Sequence, residues 1–84
     1  MMWINPDIDL PKEGARILIA IGMPNVAAKL EYRTARYEGA GRFAIHNGSY
    51  NDSTLFARGW KGGNGNANKV LAWTDVFEYD RSFE

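Results

Sequence analysis

The run Ile17-Leu18-Ile19-Ala20-Ile21 constrains the fold more than any other segment of this sequence. It is bounded by Gly14 and Gly22 and contains three β-branched residues in five positions. A short apolar run with these properties is typical of a strand that is covered on both faces. It is also far too short to cross a bilayer as a helix. The sequence therefore predicts a buried first strand over residues 17–21.

The stretch 24–37 carries two competing patterns. Val26, Leu30 and Tyr37 fit a helical stripe, whereas Leu30, Tyr32 and Thr34 alternate as in a strand. We favour a strand for the second half of this stretch because a hairpin signal follows it directly. A helical turn around Val26 to Lys29 stays open as the alternative for the first half.

The hairpin signal is a turn with two glycines between aromatic arms. Gly39 and Gly41 lie between Tyr37 and Phe43, and residues 43–46 alternate as expected of a returning strand. Glycine permits the positive φ angles that tight hairpin turns require. We therefore predict two paired antiparallel strands here.

The rest of the chain completes a mainly β domain. Residues 47–68 are rich in Gly, Asn, Ser and Asp, which predicts a long loop with one short pinned element around residues 55–57. Residues 69–74 alternate again and predict the last strand. The predicted fold is a single small domain over residues 1–84, a curved antiparallel sheet or open barrel of four to five strands with at most one short helix.

Composition bounds the compartment and the chemistry. The chain has ten basic and ten acidic residues, one histidine and no cysteine. The absence of cysteine excludes disulfides and fits a reducing compartment. The beginning of the chain lacks the basic and apolar regions of a secretory signal, so we expect a cytoplasmic protein. We expect no cofactor, no metal site and no membrane association.

The charge is unevenly distributed along the chain. Residues 29–69 contain seven basic and three acidic residues, whereas residues 70–84 contain one basic and four acidic residues. Two interpretations follow. The charges pair within the molecule, or the middle of the chain forms a basic binding surface.

Two groups of residues have the chemistry of a reactive site. His46, Ser49 and Asp52 are the residue types of a nucleophilic triad, and Asp7 and Asp9 could bind a hard cation. The residues around His46 are ordinary turn formers, and the two aspartates lack the further oxygen ligands of a calcium loop. We therefore interpret both groups as turns and predict that the protein is not an enzyme.

The glycine-rich segment 59–66 resembles a phosphate cradle, because closely spaced glycines let backbone N–H groups approach an anion. Its spacing matches neither the Walker loop nor the dinucleotide fingerprint. The structural interpretation is a loop tip with Trp60 packed into the core. The functional one is a binding loop in which Arg58, Trp60 and Lys61 contact a partner, since aromatic residues and arginine dominate interface hot spots.

Basic and aromatic residues are also interleaved in the middle of the chain, as in small β-barrels that bind single-stranded nucleic acid. The set comprises Arg33, Arg36, Arg42, Arg58 and Lys61 with Tyr32, Tyr37, Phe43, Tyr50 and Trp60.

Several short motifs together resemble a family of phage and prophage proteins of unassigned function. These proteins open with Trp-Ile and Leu-Pro-x-x-Gly before an aliphatic strand, continue with a Tyr-x-x-Gly-x-Phe hairpin and close on a strand that ends in tryptophan. The resemblance implies a phage or prophage origin and a small β fold. The matching residues are Trp3-Ile4, Leu10-Pro11-Lys12-Glu13-Gly14, Ile17-Leu18-Ile19, Tyr37 with Gly39 or Gly41 and Phe43, and Val70-Leu71-Ala72-Trp73.

Three functions are therefore open. The leading hypothesis is a phage accessory protein that binds and inhibits or modifies a host protein, such as an inhibitor of host defence of the anti-CRISPR type. The alternatives are a single-stranded nucleic-acid-binding domain and a protein that sequesters a small nucleotide with residues 59–65. Exposed edge strands would also permit a homodimer. The predicted partner-binding residues are Arg36, Arg42, Tyr50, Arg58, Trp60 and Lys61.

Overall fold

The computed structural model describes residues 2–25, 29–47, 51–59 and 68–76, of which 46, 47, 51 and 52 are described by their backbone alone. This part of the chain is mainly β and contains no helix. Five antiparallel strands form one sheet in the order β4-β3-β2-β1-β5. The strands are β1 (Arg16–Gly22), β2 (Glu31–Gly39), β3 (Arg42–Asn47), β4 (Asn51–Phe56) and β5 (Lys69–Asp75).

The predicted fold class is confirmed, and four of the five strands lie where alternation and β-branching indicated. The second half of the stretch 24–37 is a strand, whereas residues 26–28, where a helical turn stayed open, lie outside the described residues. β4 differs from the prediction, because it begins at Asn51 in a segment whose composition indicated a loop. Its six residues all pair with β3, so pairing outweighs the weak strand propensity of Asn, Asp and Ser there.

One face of the sheet, which we call the core face, forms the hydrophobic core. Ile17, Ile19 and Ile21 alternate on β1 and are nearly inaccessible to solvent. On β5, Trp73 lies opposite Ile19 and Val70 opposite Ile21, and on β2, Ala35 lies opposite Ile17. Burial of each large side chain stabilises the fold by about 1.5–3 kcal/mol. The other members of this cluster are Ala35, Tyr37, Phe43, Ile45, Leu55, Ala57, Val70 and Trp73.

The sheet curls so that its two edge strands approach each other at one corner. Ala57, just after β4, forms an isolated parallel bridge with Val70 of β5, and the Arg58 amide donates to the Val70 carbonyl at 3.0 Å. A register shift in the pairing of β1 with β5 falls between Ala20 and Ile21. Such bulges increase the local twist of a strand. The sheet is therefore strongly curved without closing into a barrel.

The segment before β1 packs across the end of this curved sheet. The backbone groups of Ile4 and Trp73 exchange two hydrogen bonds of 2.8 and 3.0 Å, which adds a short piece of strand to the outer edge of β5. The indole Nε1 of Trp73 donates to the Asp9 carbonyl at 2.9 Å. Pro6 and Pro11 of the same segment are buried. The turn-rich beginning of the chain is thus part of the globular fold.

The hairpin between β2 and β3 has the two-residue turn that its glycines predict. Ala40 and Gly41 have φ angles of 51° and 71°, the positive signs that a type I′ turn requires at both central positions. The Gly41 amide donates to the buried Tyr37 hydroxyl at 3.0 Å, which anchors the turn to the core. Alanine in the left-handed region costs roughly 1–2 kcal/mol because its Cβ crowds the carbonyl oxygen. Ala40 is therefore a strained position.

We expect the substitution Ala40→Asn to stabilise the protein by about 0.5–1 kcal/mol, because asparagine tolerates the left-handed region and Asn-Gly is the preferred type I′ pair. The corresponding rise in Tm is about 4–8 °C per kcal/mol for a domain of this size. Thermal unfolding followed by circular dichroism measures it.

The control is Ala40→Val, since a β-branched residue is disfavoured at positive φ. Its Tm is expected to fall below that of the original protein. Equal effects of the two substitutions would show that the φ angle of residue 40 does not limit stability.

Candidate interaction surface

The six predicted partner-binding residues do not form one described site. Tyr50, Trp60 and Lys61 lie outside the described residues. Arg36 and Arg42 project from the sheet, whereas Arg58 lies at the corner where β4 approaches β5.

Each of the three described arginines in this predicted set has an acceptor within the molecule. Arg36 donates to Glu38 at 2.9 Å on the same strand. Arg42 donates to the carbonyls of Gly39 and Glu38 at 3.3 and 3.5 Å, and thereby holds the hairpin turn. Arg58 lies 4.0 Å from the Asp7 carboxylate. These contacts favour the interpretation that charges of the basic middle pair within the chain.

Asp7 connects the N-terminal segment to the start of the glycine-rich segment. Its Oδ1 accepts a hydrogen bond from the Gly59 amide at 3.1 Å. A Cβ atom at Gly59 would lie 2.4 Å from that oxygen, so this approach requires a glycine. An open groove of about 580 Å³ lies here, with Pro6 to Leu10 and Gly59 around it. Asp7, predicted to belong to a solvated turn, is therefore also a structural acceptor.

The side of the sheet opposite the core, which we call the outer face, is only partly covered. Strand alternation and pairing register define it, starting from Leu18 opposite Thr34 and Ala20 opposite Tyr32. Its described side chains are Arg16, Leu18, Ala20, Tyr32, Thr34, Arg36, Glu38, Arg42, Ala44, Thr54, Phe56, Lys69, Ala72 and Thr74.

Large apolar side chains cluster at one end of the outer face. Tyr32 is 56% exposed, Trp3 39% and Leu30 38%. We call these three residues the apolar patch. Exposed apolar clusters on a soluble domain mark interaction sites more often than isolated exposed residues do.

Trp3 reaches the patch across two strands. Ile4 pairs with the outer edge of β5 and faces the core with Trp73, so the preceding Trp3 faces outward. Its ring centroid lies 5.9 Å from that of Tyr32 on β2, with the rings tilted by 41°. β1 lies between β5 and β2, and its outward residue Ala20 is only 5% exposed. The indole therefore covers small residues on the outer face while leaving part of its own surface in solvent.

A glycine in β1 lets Leu30 pack down onto the sheet. A Cβ atom at Gly22 would lie 2.8 Å from the Leu30 Cδ2 atom and 3.1 Å from the Leu71 Cδ1 atom. Leu71 occupies the extra position of the β5 bulge. The patch is consequently continuous with the half-buried apolar surface of β5.

Sequence reasoning missed two members of the patch. It assigned Trp3 only to a family motif and used Leu30 only to distinguish helix from strand. Tyr32 was included in the nucleic-acid set, but Tyr37 and Phe43 of that set are buried and have no face free for stacking. The available signal was the alternation of Leu30, Tyr32 and Thr34, which fits an apolar outward face as well as an inward one.

The residue types of a nucleophilic triad are described only in part. The backbone register places His46 opposite Asp52. Their side chains, and all of Ser49, lie outside the described part of the structure. Among the described side chains, no group of three metal-ligating residues comes together, and every buried polar atom has a hydrogen-bond partner. Within the same residues, no helix is long and apolar enough to cross a membrane.

Comparison of the chain with protein-family models, with curated proteins and with solved structures finds no match. The resemblance to phage proteins therefore depends on the short motifs of the sequence.

We expect Asp7→Ala to destabilise the protein by about 0.5–1.5 kcal/mol, because it leaves the Gly59 amide without its acceptor. The partly exposed Arg58 contributes less, since surface ion pairs are weak. Urea unfolding measures the change in midpoint.

Asp9→Ala is the matched control, since the fold uses the backbone carbonyl of Asp9 and not its carboxylate. A destabilisation by Asp9→Ala as large as that by Asp7→Ala would contradict the assigned role of the Asp7 carboxylate.

Proposed function

We propose that this chain is a non-enzymatic binding protein of phage or prophage origin that acts on a host protein in the host cytoplasm. Inhibition of a host-defence component is the proposed consequence. The proposal extends the motif resemblance with a physical feature of the fold, the apolar patch.

The single observation that carries this proposal is that Trp3 and Tyr32 expose adjacent rings next to exposed Leu30. Tryptophan and tyrosine are enriched at protein interfaces relative to the rest of the surface. Clusters of such residues supply most of the binding energy in many complexes. Keeping these side chains in water has a free-energy cost that a partner would remove.

One observation favours the second candidate, binding of single-stranded nucleic acid. Tyr32 shares the outer face with Arg16 and Arg36, which lie opposite each other on neighbouring strands. Aromatic stacking combined with phosphate contacts is the usual chemistry of such surfaces. The residues proposed to sequester a small nucleotide lie mostly outside the described part of the chain, so no described contact favours that third function.

The test is a pull-down with the tagged protein from host lysate, with and without nuclease, in parallel with the double variant Leu30→Ser/Tyr32→Ser. We expect one host protein to be recovered regardless of nuclease and to be lost with the variant. Removal of hot-spot side chains typically costs about 2 kcal/mol or more. That cost corresponds to roughly 30-fold in Kd.

The matched control is Ile8→Ser, because Ile8 is 83% exposed but belongs to the N-terminal turn and not to the patch. If the patch variant recovers the host protein as well as the original chain does, the proposed surface is wrong. Recovery that nuclease abolishes, with binding that weakens steeply as salt rises, would favour the nucleic-acid function instead.

A further inference from the structure

The outer face carries more basic than acidic side chains. Its described side chains include four basic residues, Arg16, Arg36, Arg42 and Lys69, and one acidic residue, Glu38. The described acidic residues at the beginning of the chain are Asp7, Asp9 and Glu13, in the segment that packs across the end of the sheet. The outer face is thus basic in a chain with no net charge, and of these four residues Lys69 lies at the end that carries the apolar patch.

Basic residues also border the patch itself. Lys29 is exposed directly before Leu30, and Lys69 pairs with Gly22, the residue on which Leu30 packs. The nearest acidic residue in the sequence, Glu31, lies on β2 opposite Ile21 and therefore faces the core side of the sheet, where it binds Arg33 at 3.2 Å. A ligand on the patch would meet cations at its edge.

The size of the patch limits what it can bind. Its three side chains together expose on the order of 300 Å² when scaled from the roughly 150–250 Å² that a large aromatic side chain buries. A stable interface between two folded domains buries about 800 Å² on each partner. The patch is therefore too small to hold a second copy of this chain by itself, and its size suits one or two anchor residues of a peptide segment.

We propose that the outer face binds an acidic protein segment with an aliphatic or aromatic anchor. The anchor packs on Trp3, Leu30 and Tyr32, and flanking carboxylates lie against Lys29, Lys69 and, further along the face, Arg16. This inference depends on the proposed protein-binding function and specifies the chemistry of the partner. Electrostatic complementarity of this kind contributes specificity and association rate.

The same surface fits a nucleic acid less well. The rings of Trp3 and Tyr32 are tilted by 41° to each other, so they do not form the parallel platforms on which successive bases stack. Leu30 adds aliphatic surface, which provides no stacking.

The test selects binders from a display library of random 12-residue peptides, with the full chain as bait. The double variant Leu30→Ser/Tyr32→Ser and the charge variant Arg16→Glu/Lys29→Glu are used in parallel, and their melting curves confirm that they fold. Enriched peptides are expected to carry net negative charge and at least one large apolar residue. A synthetic copy of an enriched peptide is expected to bind either variant at least ten-fold more weakly than it binds the original protein.

Reversing the charges of both the peptide and the protein tests the electrostatic contacts directly. An enriched peptide that is resynthesised with lysine in place of each acidic residue is expected to bind the charge variant better than it binds the original protein. Ile8→Ser is the matched control and is expected to bind as the original does.

Enriched peptides that are neutral or basic, yet depend on Leu30 and Tyr32 for binding, would contradict the proposal of an acidic partner and leave the proposed protein-binding function intact. Enriched peptides that bind the patch variant as well as the original protein would contradict both proposals, as would a library from which no peptide is enriched. Tighter binding of a 12-nucleotide oligothymidylate, displacing the peptides, would overturn both in favour of the nucleic-acid function.

Discussion

Trp73 links the N-terminal segment to the curved sheet. Local structure alone would not bring these two parts of the domain together. Its side chain lies in the core, its indole donates to the Asp9 carbonyl, and its backbone pairs with Ile4 at the far end of the sequence. These contacts hold the N-terminal segment across the end of the curved sheet. The placement of Trp3 on the outer face and of Asp7 beside Gly59 depends on that segment.

The apolar patch has a physical origin in this architecture. A single sheet buries apolar residues on one face and needs a second layer to cover them. Here curvature and the N-terminal segment provide that cover on the core face. Among the described residues of the N-terminal segment, Trp3 reaches the outer face, where it shields Ala20 and leaves Tyr32 and Leu30 partly in water. The surface proposed for binding is therefore a part of the sheet that this segment leaves partly exposed.

The parts of the fold that were predicted correctly depend on short-range patterns. The β1 run and the turn with its two glycines carry their own signals, because β-branching and positive φ act within a few residues. β4 was missed since Asn51 and its polar neighbours have turn propensity, and only pairing with β3 makes them a strand. For the site, residue types pointed to Arg36 and Arg42, but their acceptors depend on the local geometry of the sheet and the turn.

The sequence by itself determined a small β domain, the first strand, the central hairpin and the absence of disulfides. Alternation of apolar residues and glycine stereochemistry encode these features locally. Only the tertiary structure decided which aromatic residues are buried and which are exposed. Tyr37 is in the core and Tyr32 in solvent, although they lie on the same strand, because residues an odd number of positions apart project to opposite faces. Contacts with the other strands and with the N-terminal segment decide which face of a strand becomes the core face. Those contacts join residues that are far apart in the chain.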